Sequence, residues 1–280
     1  MYLSDEDLRK VQLLQLKSLL EVKRICEKYD IKYFLIGGSL IGAIRHKGFI
    51  PWDDDIDIGM LREEYDKFFK VVQTELGADF FLQSSATKIN HATFCGVIIR
   101  LKNTKYRRKW ETNVNSENIG IAIDVFAYDK IPDSYLKGFL FYYTFQLLHH
   151  VYMLRIGDYP SPNRLHYRVI TRIASCFLFW LKTKKIHTIL DHYHERYKNI
   201  ESDTRILLMG AWGLKERHLF RTMSNLSTAT FEGIIVPVPA DYDTFLTEQY
   251  GDYMTPPPKE KQTGRHSPLE FDFGPYQDIK

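Results

Sequence analysis

Cysteine is scarce in this chain, and that scarcity narrows the chemistry before any motif is considered. The three cysteines, Cys26, Cys95 and Cys176, are odd in number, far apart and without CxxC or Cys/His ligand spacing. Neither a disulfide framework nor a zinc site is indicated, and the thiols read as buried groups in a reducing compartment. Net charge is nearly absent as well. At +3 over 280 residues, bulk electrostatics do not recruit nucleic acid, so any basic surface has to be local. Long uninterrupted apolar runs are also missing. Residues 136–156 are aromatic, apolar and free of acids, but Gln146, His149 and His150 break them, and residues 169–181 are too short to span a bilayer. Buried helices are the first reading there, with an interfacial membrane contact second, motivated by the aromatics and by Lys182, Lys184 and Lys185. The opening MYLSDEDLRK is acidic and polar, unlike a signal peptide, so a cytoplasmic location is expected. No internal repeat or low-complexity linker is present.

What the chain does have is a globular composition, 44% hydrophobic and 14% aromatic, and one stretch that concentrates chemistry. Residues 36–59 read IGGSLIGAIRHKGFIPWDDDIDIG and carry four aspartates in five positions: Asp53, Asp54, Asp55 and Asp57. Two carboxylates ~5 Å apart at an effective dielectric of ~20 repel by roughly 3 kcal/mol. Such a group needs full solvation or a cation, and the flanking Trp52, Ile56 and Ile58 argue against solvation. A hard divalent ion held by carboxylates, with room left for substrate phosphates, is the natural partner. The alternation Asp55-Ile56-Asp57-Ile58 predicts a half-buried strand with Asp55 and Asp57 on one face and the isoleucines in the core. Asp53 joins that face if the strand begins early, whereas Asp54 points the other way.

Around this stretch the pattern predicts a mixed set of elements. Ser4 and Asp7 resemble a capping box opening a long amphipathic helix to Tyr29. Residues 32–36 read as a buried strand turning at Gly37-Gly38, after which Ser39 is placed to cap a helix closed by Arg45, His46, Lys47 and Gly48. A strand, two glycines and a helix start either cradle an anion or form an ordinary turn. A helix over 62–76 and strands over 80–83 and 94–101 follow. The run holding Lys102, Lys105, Arg107, Arg108 and Lys109 is a solvated loop or a phosphate or lipid contact. In the apolar strand IGIAIDVF, residues 119–126, Asp124 needs a partner, either a metal as its third carboxylate ligand or a nearby basic side chain. His187, His192 and His194 fall beside Asp191 and Glu195, first a polar helix face and second a metal site. A hairpin about Glu232-Gly233 and a helix closed by Gly251 complete the pattern.

Three segments together resemble the LicD family, the choline-phosphotransferase-like proteins of bacterial surface glycans related to fukutin. They are GGSLIGAIRHKGFIPWDDDIDIG, IGIAIDVFAYDKIPD and VPVPADYDTFLTEQYGDYMTPPP. The resemblance implies an α+β fold, a polymerase-β-type nucleotidyltransferase core with a mixed sheet, flanking helices and a helical insertion. The expected division is a catalytic core at 1–135, a helical acceptor or membrane-proximal unit at 136–225, and a C-terminal segment at 226–280 packing back on the core. By the same resemblance Asp55, Asp57 and Asp124 are the catalytic residues and the ligands of Mg²⁺ or Mn²⁺. Gly37, Gly38, Ser39, Arg45, His46, Asp53 and His266 are the substrate-binding candidates, with the general base open between the acidic cluster and a histidine such as His46 or His266.

The implied reaction moves phosphocholine from CDP-choline onto a sugar hydroxyl of a lipid-linked cell-surface glycan such as a teichoic acid precursor. Transfer of ribitol phosphate, glycerol phosphate or a nucleotide is the alternative, and a non-catalytic binding module the third reading. The expected setting is cytoplasmic, peripheral on the inner face of the plasma membrane, with no nucleic acid partner. If the donor carries choline, aromatic side chains should face its quaternary ammonium. With 18 Tyr and 18 Phe, sequence does not choose among them.

Overall fold

A computed structural model describes residues 3–86, 94–108, 119–156, 165–264 and 268–279. The first helix, α1 (Asp5–Lys28), opens as its sequence predicts: the Asp7 backbone N–H donates to Ser4 Oγ at 3.1 Å, and the Ser4 hydroxyl donates to the Asp7 carboxylate. Its apolar face, including Leu14, Leu19, Val22 and Ile25, is fully buried against the central sheet. The strand expected over 32–36 shrinks to β1 (Phe34–Leu35), followed by a short helix α2 (Gly37–Ile41) and a π-helical turn over Gly42–His46. Ser39 does not cap that helix. Ile36 occupies the cap position, and Ser39 sits one turn in with its Oγ accepting from the Asp57 N–H at 2.9 Å.

The sheet is organised about β2 (Asp57–Leu61) and β6 (Ala122–Lys130), which run parallel; its other pairs are antiparallel. Helix α3 (Arg62–Glu75) follows β2, and β3 (Phe80–Gln83) and β4 (Gly96–Leu101) extend the sheet to the order β1-β2-β6-β4-β3. The β4 strand starts at Gly96 rather than Phe94 because Cys95 takes a left-handed φ of 54°. A bidentate pair, Arg62 Nε and Nη2 to the two Asp129 carboxylate oxygens at 2.6 and 3.1 Å, ties α3 to β6 in the interior.

Helices α4 (Tyr135–Ile156), α5 (Leu165–Phe177) and α6 (Thr183–Asp191) gather around a second apolar core with Phe141, Phe145, Leu190 and Tyr193. The segment 136–225 is not helical throughout. Strands β7 (Thr204–Leu207) and β8 (Arg217–Leu219) return to the main sheet, β7 pairing with the end of β6, so that helix α7 (Phe220–Ser224) begins at the sheet's edge. A hairpin of β9 (Leu226–Phe231) and β10 (Ile234–Pro239) turns at Glu232 and Gly233 as expected. Helix α8 (Tyr242–Tyr250) then closes at Gly251, whose φ is 73°. A separate two-stranded ribbon joins β5 (Lys105–Arg107) to β11 (Glu270–Asp272).

Candidate active site

The parallel register sets Asp57 of β2 directly opposite Asp124 of β6. Residues facing each other across a parallel pair project to the same side of the sheet, so two carboxylates from distant parts of the chain enter one cavity of about 440 Å³. That volume suits a small-molecule ligand. Asp53 and Asp55, from the loop before β2, line the same space, as do Gly37, Gly38 and Arg108. Asp54 turns away, is 1% exposed, and accepts from the Tyr106 hydroxyl at 2.5 Å. It is not solvated, and burial together with the Asp54 charge pushes the Tyr106 hydroxyl's pKa well up.

The acid loop has a backbone clamp that the sequence reading missed. From the buried face of α1, Gln12 Nε2 donates to the Asp53 carbonyl at 3.0 Å, and Gln15 Nε2 donates to the carbonyls of Asp54 and Ala122 at 2.8 and 3.2 Å. One glutamine thereby grips both the loop before β2 and the start of β6. The signal was present in the sequence: both glutamines fall among Val11, Leu14 and Leu19 on the apolar stripe of the helix.

Among the described residues, charge in the cavity is unbalanced toward the negative. Burial, then the carboxylates of Asp55, Asp54 and Asp57, drive the Asp53 carboxyl well above the usual carboxylate range. A Cβ on Gly38 would collide with Asp53 Oδ2, so the residue there has to be glycine for the carboxylate to lie against the turn. Arg108 is the cation at this wall, its Nη1 2.8 Å from Asp124 Oδ2, both side chains nearly buried. Asp124 therefore has the basic partner that its sequence context left open. The basic run does not act as one patch: Lys102 donates to the Ala78 carbonyl, Lys105 and Arg107 pair with Glu270, and Lys109 lies outside the described residues.

Among the described residues, no three His, Cys, Asp or Glu side chains are gathered into a ready-made metal cage, at the acids or at His187, His192 and His194. The donor set nonetheless has the chemistry a hard divalent ion needs. Oxygen ligands of one sign converge on one wall, and their mutual repulsion would be relieved by a cation.

Arg45 and His46 do not line the cavity. Arg45 Nη1 donates to the Tyr253 carbonyl at 2.6 Å and its Nε to His46 Nε2 at 2.9 Å, holding the segment after α8. Burial, and then the Arg45 charge, lower the His46 pKa. The Ser39 hydroxyl is engaged with the Asp57 backbone beneath the acids, and His266 lies outside the described residues.

A second wall of the cavity comes from residues to which the sequence reading gave no role, although Gln249 and Tyr250 lie within the third of the family-like segments. Leu207 ends β7, Met209, Gly210 and Trp212 follow it, Glu216 precedes β8, and Gln249 and Tyr250 end α8. Trp212 and Tyr250 meet edge to face with ring centroids 4.9 Å apart. The cavity thus joins a polyanionic end to an aromatic end, an arrangement able to hold a phosphate through a cation and an organic group beside it.

Comparison with known proteins follows the same lines. Residues 30–149 match the family described as LicD/FKTN/FKRP, nucleotidyltransferase domain. The chain is 29% identical over 279 residues to the lipopolysaccharide cholinephosphotransferase LicD of Haemophilus influenzae, covering 92% of this chain and 96% of that protein. A shorter likeness, 43% identity over 53 residues, relates it to the human ribitol 5-phosphate transferase FKRP, over 18% of this chain and 11% of that protein. An uncharacterised protein of Rickettsia prowazekii, RP689, is 40% identical over 68 residues, 22% of this chain and 26% of that protein.

Proposed function

This chain belongs to the LicD family, and from that premise we propose that it is a metal-dependent transferase moving phosphocholine from CDP-choline to a sugar hydroxyl of a cell-surface glycan, a teichoic acid or polysaccharide precursor. The observation that carries the reading is the in-register pair Asp57 and Asp124, which with Asp55 faces a ligand-sized cavity. These three carboxylates would hold Mg²⁺ or Mn²⁺. Once bound, such an ion neutralises the donor diphosphate and the charge on departing CMP.

The chain's own groups do the rest. Gly37 and Gly38 present bare backbone on which the donor phosphates rest. Arg108, already oriented by Asp124, offers guanidinium hydrogens to phosphoryl oxygens, a geometry that matches their spacing. The acceptor hydroxyl oxygen forms a bond to the phosphorus bearing choline, while the bond from that phosphorus to the CMP oxygen breaks and CMP leaves with the electron pair. The hydroxyl proton passes to the carboxylate wall, where Asp53, Asp55, Asp57 and Asp124 line the cavity.

Membrane contact is part of this reading because the acceptor is proposed to be lipid-linked. Among the described residues no helix is long and apolar enough to cross a bilayer. Instead Ile173 and Phe177 of α5 and the following Phe179 and Trp180 lie exposed, beside exposed Lys182, Lys184 and Lys185. Arg155 donates to the Leu178 carbonyl at 2.8 Å and to that of Leu181, fixing the aromatic turn. Apolar rings flanked by lysines suit the surface of an anionic bilayer. Co-sedimentation with phosphatidylglycerol vesicles at low salt is expected to weaken in Phe179→Ser/Trp180→Ser, and failure of the parent protein to sediment removes the contact.

A second donor reading, ribitol phosphate, is favoured by the FKRP likeness alone. The purified protein, Mg²⁺ and a lipid-linked glycan incubated with CDP-choline, CDP-ribitol or CDP-glycerol separates them by CMP release and product mass. A product carrying phosphocholine supports the proposal. One carrying a nucleotide, or CMP release unchanged in Asp57→Asn, overturns it.

A further inference from the structure

The aromatic end of the cavity lines the same space as the acids and approaches them through the Tyr250 hydroxyl. A Cβ placed on Gly37 would lie 3.3 Å from Asp57 Oδ2 and 3.6 Å from the Tyr250 hydroxyl oxygen. The two walls therefore meet at a single point of the backbone. Beyond Tyr250, the Trp212 ring sets its edge or face against it at an interplanar angle of 74°, so that two π systems border the same space from different directions.

Behind the rings is a buried carboxylate. Glu216 is 4% exposed, lines the cavity, and accepts from the Trp212 backbone N–H at 3.1 Å and from Gln249 Nε2 at 3.3 Å. Gln249 Nε2 is also 3.2 Å from the Tyr250 hydroxyl. Glu216 thus fixes the backbone under one ring, and through Gln249 it is connected to the other. Aromatic faces with a carboxylate behind them attract a cation that cannot donate hydrogen bonds, because ring quadrupole and negative charge act together. A polyol gains nothing from the ring quadrupoles, and the neighbouring surface of Leu207 and Met209 offers its hydroxyls only apolar contact.

We infer that Trp212, Tyr250 and Glu216 form a subsite for the quaternary ammonium of the donor's alcohol, and that this subsite sets donor selectivity. The inference rests on the phospho-alcohol transferase reading for the cavity as a whole. It deepens that reading by assigning the cationic end to the wall built from residues 207–250. A phosphoryl group against the acids and a trimethylammonium two carbons away against the rings fit one ligand across the meeting point at Gly37.

Charge has to be separated from size. Phosphocholine and its neutral carbon isostere, the phosphate of 3,3-dimethylbutanol, differ in the charge on the alkyl end. Calorimetric titration of each into the protein with Mg²⁺ is expected to show phosphocholine bound about tenfold more tightly, within the range that cation–π contacts supply. Trp212→Leu and Glu216→Gln should each shrink that ratio severalfold. Trp212→Phe, which keeps a π face, should retain most of it, and circular dichroism melts identify any variant that has lost its fold.

Turnover of CDP-choline is read separately. Ring-dependent binding with no CMP release upholds the subsite and sinks the transferase reading. CMP release with equal affinity for the two phosphates, or a folded Trp212→Leu protein keeping the parent's ratio, overturns the subsite and leaves the transferase standing. Tighter binding of the neutral isostere overturns it as well.

Discussion

The two walls of the cavity are built by different means. The acid wall comes from adjacent parallel strands, where backbone pairing puts Asp57 opposite Asp124, and the loop leading into it is clamped by Gln12 and Gln15. The aromatic wall comes from the turns beyond β7 and the last residues of α8, held by side-chain contacts among Trp212, Glu216, Gln249 and Tyr250. The difference suits what each wall is proposed to hold. Carboxylates that must stay close against several kcal/mol of mutual repulsion need a scaffold that cannot relax. A wall that selects an organic group by shape and π faces can be carried on turns, whose sequence changes without disturbing the sheet.

The comparison breaks most decisively at Asp57. If Asp57 holds the proposed ion, Asp57→Asn should lower kcat on the order of a thousandfold or more, since losing a ligand to a phosphate-neutralising ion removes several kcal/mol of transition-state stabilisation. Phosphocholine binding through the aromatic wall should fall far less. A fall of equal size in both measurements would show that the walls do not act separately.

The support of the acid wall is tested next. Arg62→Leu strands the fully buried Asp129, which should destabilise the protein by about 3–5 kcal/mol in urea unfolding. The aromatic wall's ligand preference should be unchanged in the protein that remains folded.

Gln15→Leu sharpens the comparison with a smaller effect. It leaves the Asp54 and Ala122 carbonyls without their donor, at a cost of about 1–3 kcal/mol in stability. Because the acid loop shifts, kcat should fall about tenfold with little change in KM; an unchanged kcat would limit the clamp to folding.

The smallest effect is expected beneath the aromatic wall. His218 is buried, stacks on Phe245 of α8 with centroids 4.1 Å apart, and its Nδ1 is 2.9 Å from Glu248 Oε2. Burial lowers its pKa, against the opposing pull of Glu248. The folded protein therefore holds a neutral imidazole that the unfolded chain would protonate near pH 6.5. Its stabilising contribution is full above about pH 6.5 and is lost as pH falls through the lowered folded value. Urea midpoints at acid and neutral pH should differ less in His218→Phe than in the parent. Equal pH dependence would assign the acid sensitivity elsewhere, for example to His194, whose pKa burial also lowers.

How legible these features were depends on whether their signal is local. The alternation from Asp55 to Ile58 announced a half-buried strand because side chains in a strand alternate with period two, although the strand itself begins only at Asp57. Asp124 stood out because a carboxylate inside an apolar run is costly without a partner, and it has one in Arg108. Arg108 did not stand out. In sequence it belongs to a basic run, and such runs are usually solvated; only the fold buries it while its neighbours pair with Glu270. Ser39 was misassigned because a serine after two glycines fits a helix cap, whereas the chain enters α2 two residues earlier, at Gly37. Trp212 lies in none of the three family-like segments, and Tyr250, though inside the third, was not singled out among the many aromatics; 37 positions separate them, and they meet only by the packing of α8 against the turn after β7.

By itself, then, the sequence placed four carboxylates within five positions and set the expectation that Asp55 and Asp57 face the same way; both line the cavity, with Asp55 in the loop before β2 rather than on the strand. Those properties follow from neighbours a few residues apart and from the period of a strand, so they can be read along the chain. The tertiary structure alone decided what stands opposite. The register of β2 on β6, the return of β7 and β8 to the sheet, and the approach of Tyr250 to Trp212 are contacts between residues far apart in sequence. Backbone pairing and the burial of apolar surface hold them; a periodic pattern can show that a face is buried, but not which distant residue it meets.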